Sequence, residues 1–133
     1  MTIEVIYPGV QCTVQAGPRG GWRHAGVPAA GPADPVSMAL ANRLLGKPAG
    51  AACLEISLGP ASFRFLEGMQ VAVTGAAADL EAGQQDMPMH ETLTIARGQT
   101  LAIGPAHTGA RLYLSVSGTL QAEEFLGSAS TYM

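Results

Sequence analysis

Cys53–Thr74, CLEISLGPASFRFLEGMQVAVT, is the stretch that decides the fold class. It holds three short apolar runs, Cys53–Leu58, Ser62–Leu66 and Gln70–Thr74, divided by Gly59-Pro60 and Glu67-Gly68. Each run falls short of the ~10 residues at which a helix becomes credible, and the dividers are strong turn signals. The reading is therefore strand, turn, strand, turn, strand. Working outward, Thr2–Tyr7 alternates with Ile3, Val5 and Tyr7 on one face, and Cys12–Gln15 follows the turn at Pro8-Gly9. Glu91–Ala96 and Thr100–Ile103 flank Arg97-Gly98 and read as a hairpin. In Arg111–Ser117 the residues Leu112, Leu114 and Val116 face one way, and Tyr113, Ser115 and Ser117 the other. Many short strands at close spacing predict a mainly β barrel or sandwich.

One helix interrupts this pattern, over residues 35–45. Asp34 suits the N-cap and Pro35 the first helical position, where a missing amide costs nothing. Val36, Leu40 and Leu44 recur at i, i+4 and i+8, with Ala41 and Leu45 widening the apolar stripe. Gly46 and Pro48 supply the stop. Ala76–Met89 is alanine-rich and then polar, and reads as a connection with at most one helical turn.

The chain-wide numbers exclude several classes. At 133 residues it is expected to form one domain. Its formal net charge is -3 and it has no basic run, which argues against a nucleic-acid partner. No segment approaches the ~20 apolar residues of a membrane helix. The opening MTIEVIY is not a signal peptide. Two cysteines, Cys12 and Cys53, make no disulfide framework. A cytoplasmic, globular protein is the expectation.

Common catalytic signatures are missing. His24, His90 and His107 lack metal-ligand spacing, so no metal site is assigned. Gly46-Lys47 lacks the glycine spacing of a phosphate loop, and no serine sits in a nucleophile elbow. The chemistry concentrates instead in Gln15–Asp34, QAGPRGGWRHAGVPAAGPAD. Glycine and proline at that density preclude a regular helix or strand, and long ordered loops are commonly functional. Arg19 can grip a carboxylate or phosphate in two-pronged fashion, or tie the loop to Glu55. His24 titrates near neutrality and suits a general acid or base, or a loop hydrogen bond. Asp34 is a base or simply the helix cap. Glu55 interrupts the apolar run CLEISL, so it is either paired inside the barrel or directed into a site. Gln15 suits a substrate amide or loop backbone, and Asn42 suits substrate or a tie between the helix and the glycine loop. Tyr113 and Arg111, on the less apolar face of the last strand, are secondary candidates.

A family resemblance runs through the same residues. Its blocks are Thr13-Val14-Gln15, Arg19, His24-Ala25-Gly26-Val27-Pro28, Gly31 and Asp34, then Ala41-Asn42-Arg43-Leu44-Leu45-Gly46 and Leu54-Glu55-Ile56-Ser57-Leu58-Gly59-Pro60. Near the end come Gly109-Ala110-Arg111-Leu112-Tyr113-Leu114, Leu126-Gly127-Ser128 and Ser130-Thr131-Tyr132. In these blocks the chain resembles the allophanate hydrolase subunit 2 family, also known as the biotin-dependent carboxyltransferase or 5-oxoprolinase C-subunit family. It is similar to the N-terminal half of such proteins. The resemblance implies a cyclophilin-like β-barrel, with one short helix and a long glycine-rich loop.

In function it implies one component of an ATP-dependent enzyme that opens 5-oxoproline to glutamate. The partners so implied are an allophanate hydrolase subunit 1 (Kip inhibitor)-like chain and a hydrolytic 5-oxoprolinase subunit. ATP would act through the complex, and biotin would come only from a partner. Alternatives are a urea-type carboxyltransferase component or a binding module that has lost turnover. On this reading Asp34, His24 and Glu55 are catalytic, while Gln15, Arg19 and Asn42 bind a small amide or lactam. The chain departs from the family pattern at Ala16, where an aspartate is usual, at Pro18, where a glycine is usual, and at Ala129, where an arginine is usual.

Overall fold

The computed structural model describes residues 3–9, 11–16 and 33–118. Arg19 and His24, the departures at Pro18 and Ala129, and most of the glycine-rich segment lie outside those residues. Ten strands are described: β1 (Ile3–Tyr7), β2 (Gln11–Gln15), β3 (Cys53–Ser57), β4 (Ala61–Phe65), β5 (Met69–Ala77), β6 (Leu80–Ala82), β7 (Gln85–Met87), β8 (Leu93–Ile95), β9 (Thr100–Ile103) and β10 (Thr108–Val116). One helix, α1 (Pro35–Leu44), is described with them. The strands form two five-stranded antiparallel sheets, ordered β1-β4-β9-β6-β7 (sheet one) and β2-β3-β10-β5-β8 (sheet two). The mainly β expectation with one short helix holds, and the two sheet orders are open rather than joined into one ring.

Between the sheets lies the main core. Sheet one contributes Phe63, Phe65, Leu80, Leu101 and Ile103, and sheet two contributes Leu54, Ile56, Val71, Val73, Leu112, Leu114 and Val116. All are buried, and each is worth ~1.5–3 kcal/mol of apolar transfer. The strict alternation read from Leu112, Leu114 and Val116 is what aims these side chains inward.

Most of the turn signals turn out to be corners between sheets. Gly59-Pro60 carries the chain from β3 in sheet two to β4 in sheet one, and Glu67-Gly68 carries it back to β5. Arg97-Gly98 does the same between β8 and β9, so the hairpin expected there does not form. Instead β8 pairs with β5, while β9 pairs with β4 and β6. The corner is held from outside itself: Gly98 N–H donates to Phe65 O (2.7 Å) and Phe65 N–H to Gln99 O (2.9 Å). Ala76–Met89 also departs from expectation. It ends β5 and then forms the β6–β7 hairpin around Gly83-Gln84, both at positive φ (57° and 68°), the twist that a two-residue hairpin turn favours.

Helix α1 lies on the outer face of sheet two, against β5 and β10. Asp34 caps it as expected, accepting from Ser37 N–H (3.1 Å) and from the Ser37 hydroxyl. Its buried face is not the expected one. Val36 is 78% exposed and Leu40 43%, while Met38, Ala41 and Asn42 are buried. A stripe is shifted by the polar residue inside it. Asn42 Nδ2 donates to Ala49 O (3.0 Å) and Ala51 O (2.9 Å), and its Oδ1 accepts from Ser115 Oγ (2.8 Å). A fully paired amide can be buried, and the helix rotates to bury it. No helix among the described residues is long and apolar enough to cross a membrane.

Two outcomes test this anchoring. Asn42→Ala leaves two carbonyls and a hydroxyl without their partner and is expected to cost about 2–3 kcal/mol, read by chemical denaturation. The Ser37 hydroxyl and backbone amide hold the Asp34 carboxyl below its ordinary range. A lowered folded-state pKa stabilises above the unfolded value, ~3.9, and that stability is lost as pH falls through the folded value. Wild type should therefore exceed Asp34→Asn in stability at pH 7, with the gap narrowing as pH falls below about 3.9.

Candidate functional site

β3 is buried along its whole length, on both faces. Leu54 and Ile56 point into the sandwich, so Cys53, Glu55 and Ser57 take the opposite face, on the side that α1 covers. Register then assembles polar side chains across sheet two. Thr13 on β2 opposes Glu55, which opposes Tyr113 on β10, which opposes Thr74 on β5. One step along, Gln11, Ser57 and Arg111 form a second row. These rows are the candidate site.

Glu55 is its centre. The carboxylate is 9% exposed, and one oxygen, Oε2, accepts from Tyr113 Oη (2.6 Å) and from Ala33 N–H (2.9 Å). Tyr113 Oη in turn accepts from Asp34 N–H (2.8 Å). The other oxygen, Oε1, faces Arg111 Nε at 3.8 Å, an ion-pair contact without a hydrogen bond, and that Nε has no hydrogen-bond partner. Burial, and then the adjoining Glu55 carboxylate, push the Tyr113 hydroxyl well up, so it stays protonated and serves as a donor. Of the two readings of Glu55, pairing occurs, with Tyr113 and Ala33, but outside the sandwich core, between sheet two and the chain that leads into α1.

Other expected site residues fall around this centre. Asp34 is adjacent, with its backbone held by Tyr113 and its carboxylate turned to Ser37. Gln15 is two residues along β2 from Thr13, to whose hydroxyl its Nε2 donates (2.9 Å). Asn42 ties α1 to residues 49–51 and to β10, and both its amide hydrogens are spent there. Thr74, which sequence reasoning passed over, donates from Oγ1 to Ser37 O (2.6 Å). Tyr113 deserved more weight: its strand parity was legible, but its partner across the ladder was not.

The positions of β10 side chains depend on Gly75. It has φ of 103° at a register shift between β5 and β10, and a Cβ there would run into the Arg111 carbonyl oxygen. Lys47, the only lysine of the chain, donates from Nζ to Val116 O and Gly118 O (both 2.8 Å). Cys53 is buried beneath α1, and burial pushes its thiol up to about 12 although Lys47 acts to lower it. Cys12 is buried in the sandwich core instead, and both thiols are free.

Comparison with known proteins agrees with the expected resemblance. The chain is 36% identical to urea amidolyase of Saccharomyces cerevisiae over 131 residues, covering 98% of this chain and 7% of that protein. It is 33% identical to the 5-oxoprolinase C subunit of Escherichia coli, covering 97% of this chain and 42% of that protein. It therefore spans less than half the length of either relative. The crystal structure of the Kluyveromyces lactis urea carboxylase superposes with a TM-score of 0.80 at 33% identity, over 88% of this chain and 10% of that one. The family model described as carboxyltransferase domain, subdomain A and B, matches residues 25–133, and the chain belongs to that family.

Proposed function

We propose that this chain is one component of an ATP-dependent amide-processing enzyme, with 5-oxoproline opened to glutamate by the assembled complex. One observation carries the reading. Glu55, Tyr113 and Arg111 gather on the sheet face where the glycine-rich segment rejoins the fold at Ala33–Asp34. The Escherichia coli relative is named as one subunit of its enzyme, which favours a site completed by other polypeptides. The partners proposed are a subunit 1 (Kip inhibitor)-like chain and a hydrolytic 5-oxoprolinase subunit.

Opening a lactam places negative charge on an amide oxygen, which fixed donors must stabilise. Arg19 and His24 are the residues proposed to contact substrate. Asp34, beside Tyr113 and Glu55, is the proposed base. Lys47, the one residue able to carry biotin through an amide, is engaged by two backbone carbonyls, and no glycine spacing for a phosphate loop precedes it. ATP is proposed to act through the complex, and biotin to come only from a partner.

A second reading, carboxyl transfer to urea, is favoured by the 36% identity to urea amidolyase. The substitutions at Ala16, Pro18 and Ala129 favour a third, a binding module without turnover.

The test combines this chain with the two partner polypeptides, omitting each component in turn. ATP-dependent formation of glutamate from 5-oxoproline is measured beside biotin-dependent carboxylation of urea. Glutamate formation should require this chain and fall about 100-fold or more with Arg19→Ala and Asp34→Ala, as for lost positioning and acid–base groups. Carboxylation of urea alone would select the second reading. A stable complex silent in both assays would leave the binding module and overturn the enzymatic proposal.

A further inference from the structure

We infer that Glu55 and Tyr113 are positioning residues that latch the end of the glycine-rich segment onto sheet two, and that Glu55 is not the chemical base. Part of the test rests on the 5-oxoproline reading above; the latch itself does not.

The geometry is specific. Two successive backbone amides, those of Ala33 and Asp34, are received by two side chains that oppose each other across the β3–β10 ladder. Ala33 N–H goes to Glu55 Oε2 and Asp34 N–H to Tyr113 Oη, and the Tyr113 hydroxyl closes the figure by donating to the same Oε2. Each bond uses a group in its only available sense: the amides can only donate, and the hydroxyl accepts one bond while donating another. Oε2 thus carries two donors already. Oε1 lies 3.8 Å from Arg111 Nε, so the second oxygen is engaged in an ion-pair contact.

The latch sits at the start of α1, on the backbone of Ala33 and Asp34. Gln15, at the other end of the segment, is held in the β2–β3 ladder opposite Cys53. Gln15 and Ala33 are thus each tied to β3, two residues apart at Cys53 and Glu55. On the far side of Asp34, α1 is secured by the Thr74–Ser37 bond. Asp34, the proposed base, is the residue whose amide Tyr113 holds, so Glu55 and Tyr113 act on it through the backbone.

The test is amide hydrogen exchange of the chain by NMR, together with turnover of the assembled enzyme. Tyr113→Phe should accelerate exchange at Asp34 by about tenfold, and Glu55→Ala should do so at Ala33, as for loss of one charge-assisted or neutral hydrogen bond. Glu55→Gln keeps a carbonyl oxygen for both donors and should hold exchange within about threefold of wild type. In the assembled enzyme, kcat should fall about tenfold in Tyr113→Phe and Glu55→Ala and be rescued by Glu55→Gln. Unchanged exchange at Ala33 and Asp34 in both disruptive variants would overturn the latch. Loss of turnover in Glu55→Gln by about 1,000-fold, with protection intact, would make Glu55 the base and overturn the assignment. If the wild-type complex forms no glutamate, the functional reading fails alone, and exchange still decides the latch.

Discussion

Burial of both faces of sheet two is the constraint on which the rest depends. One face closes the sandwich core, and the other lies under α1 and the chain leading into it. Polar groups on that second face then need protein partners, because an unpaired buried group costs about 1–3 kcal/mol when neutral and more when charged. Among the described residues Arg111 Nε is the exception, in ion-pair contact with Glu55 but without a hydrogen bond. Glu55 meets the requirement through Tyr113 and Ala33. Ser115 meets it through Asn42, and Thr74 through the Ser37 carbonyl. Packing on the sheet's inner face thus dictates how the outer face is wired.

That wiring holds α1 at both ends. At the start, Tyr113 and Ser37 fix Asp34; beyond the last turn, Asn42 and Lys47 bind residues 49–51 and the end of β10. The apolar contact between them is small, with Met38 and Ala41 packed on Cys53 and Tyr113. A helix of this length is not stable alone, so its register on the sheet is set by polar pairs as much as by apolar burial. Val36 and Leu40 are left outward as a result.

Strand positions were legible because alternation and turn residues are local properties. Leu112, Leu114 and Val116 could be placed on one face from spacing alone, and the Asp34-Pro35 start of α1 from capping chemistry. What Arg97-Gly98 would connect was not legible. A glycine-containing turn looks the same whether it joins two strands of one sheet or hands the chain to another, and the choice lies with Phe65, more than thirty positions earlier. The β6–β7 hairpin was missed for the converse reason: Gly83-Gln84 is an uncommon pair for such a turn, and its short strands carry little alternation.

The sequence by itself determined the mainly β class, the capped helix and the family, because composition, period and motif order are written in adjacent residues. Only the tertiary structure decided which face of α1 is buried and that Glu55 lies outside the sandwich core. It alone also showed that the carboxylate spends itself on Tyr113 and the Ala33 amide. Those outcomes depend on register between strands far apart in the chain: Tyr113 meets Glu55 across a separation of 58 residues, and no local pattern encodes that meeting.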